Sequence, residues 1–93
     1  MGIRVNGEIL RSVRAMDENQ AQQIIDQTTK AMINGKPTNM QRVDNDTITV
    51  DVPANVGDGP LVIVLMSNKG KAVAVLGYDQ EKETFAQQEE DED

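Results

Sequence analysis

The sequence predicts a small α+β domain: an antiparallel sheet of four to six strands, one amphipathic helix packed on it, and a flexible acidic C-terminal tail. Three patterns lead there. Residues 17–34 carry apolar side chains at spacings of three and four, the period of a helix. Residues 47–52 alternate with a period of two, the mark of a half-buried strand. Residues 61–66 and 72–76 are short apolar runs separated by Ser67-Asn68-Lys69-Gly70, whose closing glycine suits a hairpin turn with a bulge.

The elements follow in order. Ile3-Arg4-Val5 reads as a short strand, and Asn6-Gly7 is the pair that favours a type I′ hairpin turn. Residues 8–16 are therefore expected to return as a strand, although Leu10 falls on the opposite face from Ile9 and Val13. Asp17 can cap the helix, with Gln20 completing a capping box. Ala21, Ile24, Ile25, Thr28, Ala31 and Met32 form its apolar stripe; Gly35 and Pro37 stop it. Residues 38–43 are expected to pair with 47–52 across Asp44-Asn45-Asp46, and residues 53–60, with Gly57 and Gly59, to form a loop.

Charge divides the chain. Sixteen acids stand against nine bases. From residue 79 onward there are eight acids and one base, a net of −7; the first 78 residues balance eight against eight. The expected organisation is a neutral domain over 1–78 and an acidic, self-repelling tail over 79–93.

Residues 61–66 and 72–76 are apolar on both faces, whereas a sheet covered by one helix should show one polar face. A second cover is required. An identical chain is the favoured candidate, with an internal second layer as its rival. There are no cysteines or histidines to staple a small core, so association is the remaining support. The sequence thus predicts a homo-oligomer, most simply a two-fold dimer, with an interface drawn from Val62, Val64, Met66, Val73 and Val75.

Composition also bounds the chemistry. Without His or Cys, the usual nucleophile–base pairs cannot be built. Ser12 and Ser67 sit in no catalytic motif. Asp44-Asn45-Asp46 lacks the glycine and glutamate that a calcium loop needs further on, and reads as a turn. Asn68-Lys69-Gly70-Lys71 and Gly57-Asp58-Gly59-Pro60 match no complete phosphate-binding motif. No catalytic residue, metal site or cofactor is expected. No apolar run approaches the roughly 20 residues of a membrane span. The absence of cysteine and of a signal-like segment points to the cytoplasm, where the sequon at Asn45 stays unmodified.

Arg4, Arg11, Arg14, Lys69 and Lys71 are the candidate ligand-binding bases, if the N-terminal segment lies near the second hairpin. The expected function is non-enzymatic: a small oligomeric binding or regulatory protein that acts by occupying a partner. One alternative is the sequestration of a small anion, such as a nucleotide, between subunits. Another is nucleic-acid binding with a self-competing tail, disfavoured by the scarcity of aromatic residues for base stacking. In size and composition the chain is similar to phage-encoded inhibitors of host factors, a similarity that assigns no residue.

Overall fold

Leu61, Ile63 and Leu65 point to one side of their strand and are completely enclosed. They belong to the one buried cluster that joins the sheets and helices. The computed structural model describes residues 2–86; the acidic run from Glu89 to Asp93 lies outside the described residues.

Strand β1 (Gly2–Asn6) runs directly into helix α1 (Gly7–Arg14), which corrects the expected N-terminal hairpin. Asn6 is the helix N-cap. Its Oδ1 accepts from the Ile9 backbone N–H at 2.8 Å, satisfying one of the orphan donors of the first turn. Gly7, Leu10 and Val13 are buried at spacings of three. The misplacement of Leu10 in a strand pattern was thus the trace of a helical period. β1 pairs instead with a distant strand, β5 (Thr47–Asp51), with Ile3 opposite Val50 and Val5 opposite Ile48.

Helix α2 (Glu18–Gln27) has the expected capping box. Asp17 Oδ1 accepts from Gln20 N–H at 2.8 Å, and Gln20 Oε1 accepts from Asp17 N–H at 3.1 Å. It ends earlier than its apolar stripe suggested. Thr28 is already extended (φ −76°, ψ 120°), its hydroxyl donates to the Ile24 carbonyl at 2.7 Å, and it is buried. Lys30–Ile33 is strand β2, with Ala31 and Ile33 inward and Met32 outward. Ala31 and Met32 therefore belong to a strand, not to the helix. The alternation of four residues was hidden because Ala31 and Met32 also fit the preceding helical spacing. Asn34 (φ 52°) and Gly35 (φ 80°) then make the two-residue turn to β3 (Lys36–Thr38). Both central residues lie in the left-handed region, as a type I′ turn demands.

The strands form two antiparallel sheets rather than one of four to six strands. At Asn39 the chain leaves the first for the second. Its carbonyl accepts from Asp51 N–H at 2.9 Å, and the Thr38 hydroxyl donates to the Asp51 carbonyl at 2.6 Å. β4 (Met40–Asp44) pairs with β5 as expected, with a register shift between Arg42 and Asp44. The three-stranded sheet is ordered β1-β5-β4. β6 (Leu61–Met66) and β7 (Ala72–Asp79) form the second hairpin, and β8 (Thr84–Phe85) adds two residues beyond β7. The five-stranded sheet is ordered β3-β2-β6-β7-β8. The expected boundary at residue 78 falls inside β7, and packed structure continues past it. The Phe85 ring meets Tyr78 edge-to-face at 5.0 Å between centroids.

One buried cluster joins Ile3, Val5, Ile48 and Val50 of the small sheet, Leu10, Val13, Ala21 and Ile25 of the helices, and the inner files of β2, β6 and β7. The small sheet and two helices, rather than a single helix, thus cover one face of the large sheet.

Three expectations test this fold. Gly7→Ala should be neutral or stabilising by about 0.4–1 kcal/mol in denaturant melts, because Gly7 is helical and a Cβ would meet Ala21 Cβ at an ordinary 4.0 Å; marked destabilisation would restore the hairpin turn. Ile25→Ala should cost about 2–5 kcal/mol, since Ile25 is fully buried, while exposed Gln23→Ala should be nearly silent. Phe85→Ala should cost about 1 kcal/mol or more through loss of the edge-to-face pair and its apolar contact.

Candidate functional site

The five candidate bases do not form one patch. Arg4 sits on β1, exposed and opposite Thr49. Arg11 donates from Nε to the Gly7 carbonyl at 3.3 Å, within its own helix. Arg14, the last residue of α1, reaches across to the large sheet and donates from Nη1 to the Val75 carbonyl at 2.7 Å. Lys69 and Lys71 belong to the β6–β7 turn. There Gly70 (φ 79°) lets Ser67 N–H reach the Lys71 carbonyl at 2.9 Å and Gly70 N–H reach the Ser67 carbonyl at 3.0 Å.

Three of the five meet in pairs, with Lys71 common to both. Arg14 and Lys71 line a cleft of about 610 Å³ between the α1–α2 connection, α2 and the start of β7. Gln20, Gln23 and Gln27 supply amides, and Met16, Ile24 and Val73 supply apolar walls. No acid lines it. Lys69 faces a neighbouring cleft of about 450 Å³ that it shares with Lys71 and Asp26. The helix that carries Arg14 was expected to be a strand, so its approach to β7 was not legible. Of the three glutamines, Gln20 was legible as the capping-box residue, and Gln23 and Gln27 carried no sequence signal of a site.

The candidate interface residues divide similarly. Val62, Val64, Met66 and Val75 lie on the face of the large sheet turned away from the buried cluster. Val73 does not join them. A bulge opposite the Leu65–Met66 step makes it an extra residue in β7, and it packs against the buried cluster instead. Met32 takes its place on the outer face. It stands opposite Val64, which in turn stands opposite Val75, so the three form one rank across β2, β6 and β7. The cleft opens on the helix-bearing side, so the bases and the bare face are on different surfaces of the subunit.

A third cluster surrounds the β4–β5 turn. Arg42 Nη2 lies 2.9 Å from Asp26 Oδ1 and donates to the Asn45 carbonyl at 2.6 Å; its Nε donates to the Asp44 carbonyl at 2.7 Å. Gln22 Nε2 donates to Asp26 Oδ1 at 3.1 Å and to the Asn45 carbonyl at 2.7 Å. Asp44 Oδ1 accepts from Asp46 N–H at 3.2 Å. These bonds tie the turn to α2. Hydrogen bonds from Gln22 and then Arg42 hold the Asp26 carboxyl below its ordinary range. The Asp46 backbone N–H does the same for Asp44. Both shifts keep a carboxylate ionised, the opposite of what a general acid at neutral pH requires. Among the described residues no group of three or more acids is placed to hold a metal ion, and no helix is long and apolar enough to cross a membrane.

Compared with protein-family models, curated proteins and solved structures, the chain matches none.

The Asp26 shift has a checkable sign. A lowered folded-state value means that its contribution to stability is complete above the ordinary carboxylate range and is lost as the pH falls through that lowered value. In an NMR titration, Gln22→Ala and Arg42→Ala should each move the Asp26 midpoint back up; no movement in either variant would mean that these bonds do not form in solution.

Proposed function

We propose that this protein is a non-enzymatic binding protein that acts by occupying a partner, and that it works as a two-fold dimer assembled through the outer face of its five-stranded sheet. The observation that carries this reading is the bareness of that face. Val62 is 49% and Val75 44% exposed, with Met32, Val64 and Met66 half-buried between and beside them. Both helices and the small sheet are already committed to the opposite face.

The physical argument is one of unbalanced layers. Valine and methionine left in water forgo about 1.5–3 kcal/mol each relative to full burial. A second copy laid face to face would bury them on both sides at once, in the roughly 10 Å spacing of stacked sheets. A two-fold axis would set the Met32–Val64–Val75 rank of one subunit against its own equivalent. The supply of chemical groups is consistent with binding rather than catalysis: carboxylates held ionised, arginines held in structural bonds, and no His or Cys in the sequence.

Light scattering at micromolar concentration should return a dimer mass, with a melting temperature that rises with protein concentration. Val75→Glu, a change at a position open to water in the single chain, should give a folded monomer with an unchanged circular dichroism spectrum. A wild-type chain that stays strictly monomeric, with concentration-independent melting, would refute the dimer.

A further inference from the structure

The edge of the large sheet beside α1 is only partly closed. β8 pairs with Tyr78 and Asp79, and Ala86 N–H donates to the Gly77 carbonyl at 2.9 Å. From there back to Ala72, β7 has β6 on one side and, among the described residues, no strand on the other. Alternate residues of an antiparallel strand direct their backbone groups to the same side. The N–H and carbonyl of Val75 therefore face this open edge, as the Gly77 carbonyl does. The Val75 carbonyl is held there by a side chain, the Arg14 guanidinium, at 2.7 Å.

The cleft lined by Arg14 and Lys71 adjoins this edge. Its local charge runs against that of the chain. In a protein with sixteen acids and nine bases, the described residues that line the cleft include two bases and three glutamine amides and no acid. Its apolar walls, Met16 and Ile24, offer burial to side chains of an occupant.

We propose that the open edge of β7 and the Arg14–Lys71 cleft form one docking groove for an extended, acidic segment of a partner protein, added as a strand beside residues 72–75. Pairing would exchange one donor for another at Val75. The incoming main-chain N–H takes the carbonyl, and the freed guanidinium takes a carboxylate, a stronger charge-assisted bond than the one it gives up. Lys71 meets a second carboxylate, and alternate side chains of the strand rest on Met16 and Ile24. A neutral strand would displace Arg14 without offering it an anionic acceptor. A small free anion would leave the strand edge unpaired. A single-stranded nucleic acid would find no aromatic side chain in the cleft on which to stack.

The test uses the full chain and a short synthetic peptide of alternating Val and Glu, with a Val–Gln peptide as control. Fluorescence anisotropy should show saturable binding of the Val–Glu peptide that weakens as salt rises. Binding should be about tenfold weaker for the Val–Gln peptide and for Lys71→Glu, the loss expected when a charge-assisted pair is removed. Hydrogen exchange at the Val75 amide should slow on binding, a change that non-specific charge attraction would not produce. Absence of binding, or binding without protection of that amide, would overturn the proposal. So would full displacement of the peptide by inorganic phosphate or ATP, which would make the cleft a small-anion site. If the peptide binds only after Glu89, Glu90, Asp91, Glu92 and Asp93 are all changed to amides, the chain's own acidic residues are the competitor and a partner's segment is not the occupant.

Discussion

Burial of the inner file of β6, Leu61, Ile63 and Leu65, is the interaction on which the rest of this protein rests. These side chains are enclosed, and each element that encloses them is fixed by doing so. β2 lies beside β6 with Ala31 opposite Leu65 and Ile33 opposite Ile63; β7 lies on the other side with Ala74 and Leu76 opposite the same two residues. The helices and the small sheet close the layer above. With no disulfide and almost no aromatic volume, this contiguous aliphatic packing is the main source of stability open to the chain.

That arrangement explains why the two faces of β6 and β7 differ in their surroundings while matching in chemistry. A domain of this length has too few elements to build three layers. The choice of which face to cover was decided by the connections. β1 leads straight into α1, and the β6–β7 bulge turns Val73 toward the covered side. The outer face keeps Met32, Val62, Val64, Met66 and Val75, and the proposed dimer follows from their exposure. The Arg14–Lys71 cleft is a by-product of the same packing, since α1 can reach the β7 edge only because it sits on the helix-bearing side.

Local signals were read correctly where a single pattern stood alone. The capping box at Asp17 and Gln20, the alternation of β5 and the β6–β7 hairpin all appear where the residues placed them. Ambiguity arose where one dipeptide serves two purposes. The chain contains Asn-Gly twice. At 34–35 both residues adopt positive φ and turn a hairpin; at 6–7 the same pair caps and starts a helix, because Leu10 and Val13 fall where a helix can bury them. Asn is favoured in both roles, so identity alone could not decide between them. The end of α2 was obscured in the same way, by Ala31 and Met32 fitting a helical period and a strand at once.

The sequence by itself determined the α+β class, the capped start of α2, the β6–β7 hairpin and the fact that these two strands carry more apolar surface than one helix can cover. Those features depend on residues close together in the chain, where hydrogen-bonding geometry and side-chain period act directly. The partition of strands into two sheets, the pairing of β1 with β5, the inward turn of Val73 and the meeting of Arg14 with Lys71 were decided only in three dimensions. Each joins segments distant in sequence, and each is selected by which combination of surfaces buries the most apolar area while pairing the backbone groups it takes out of water.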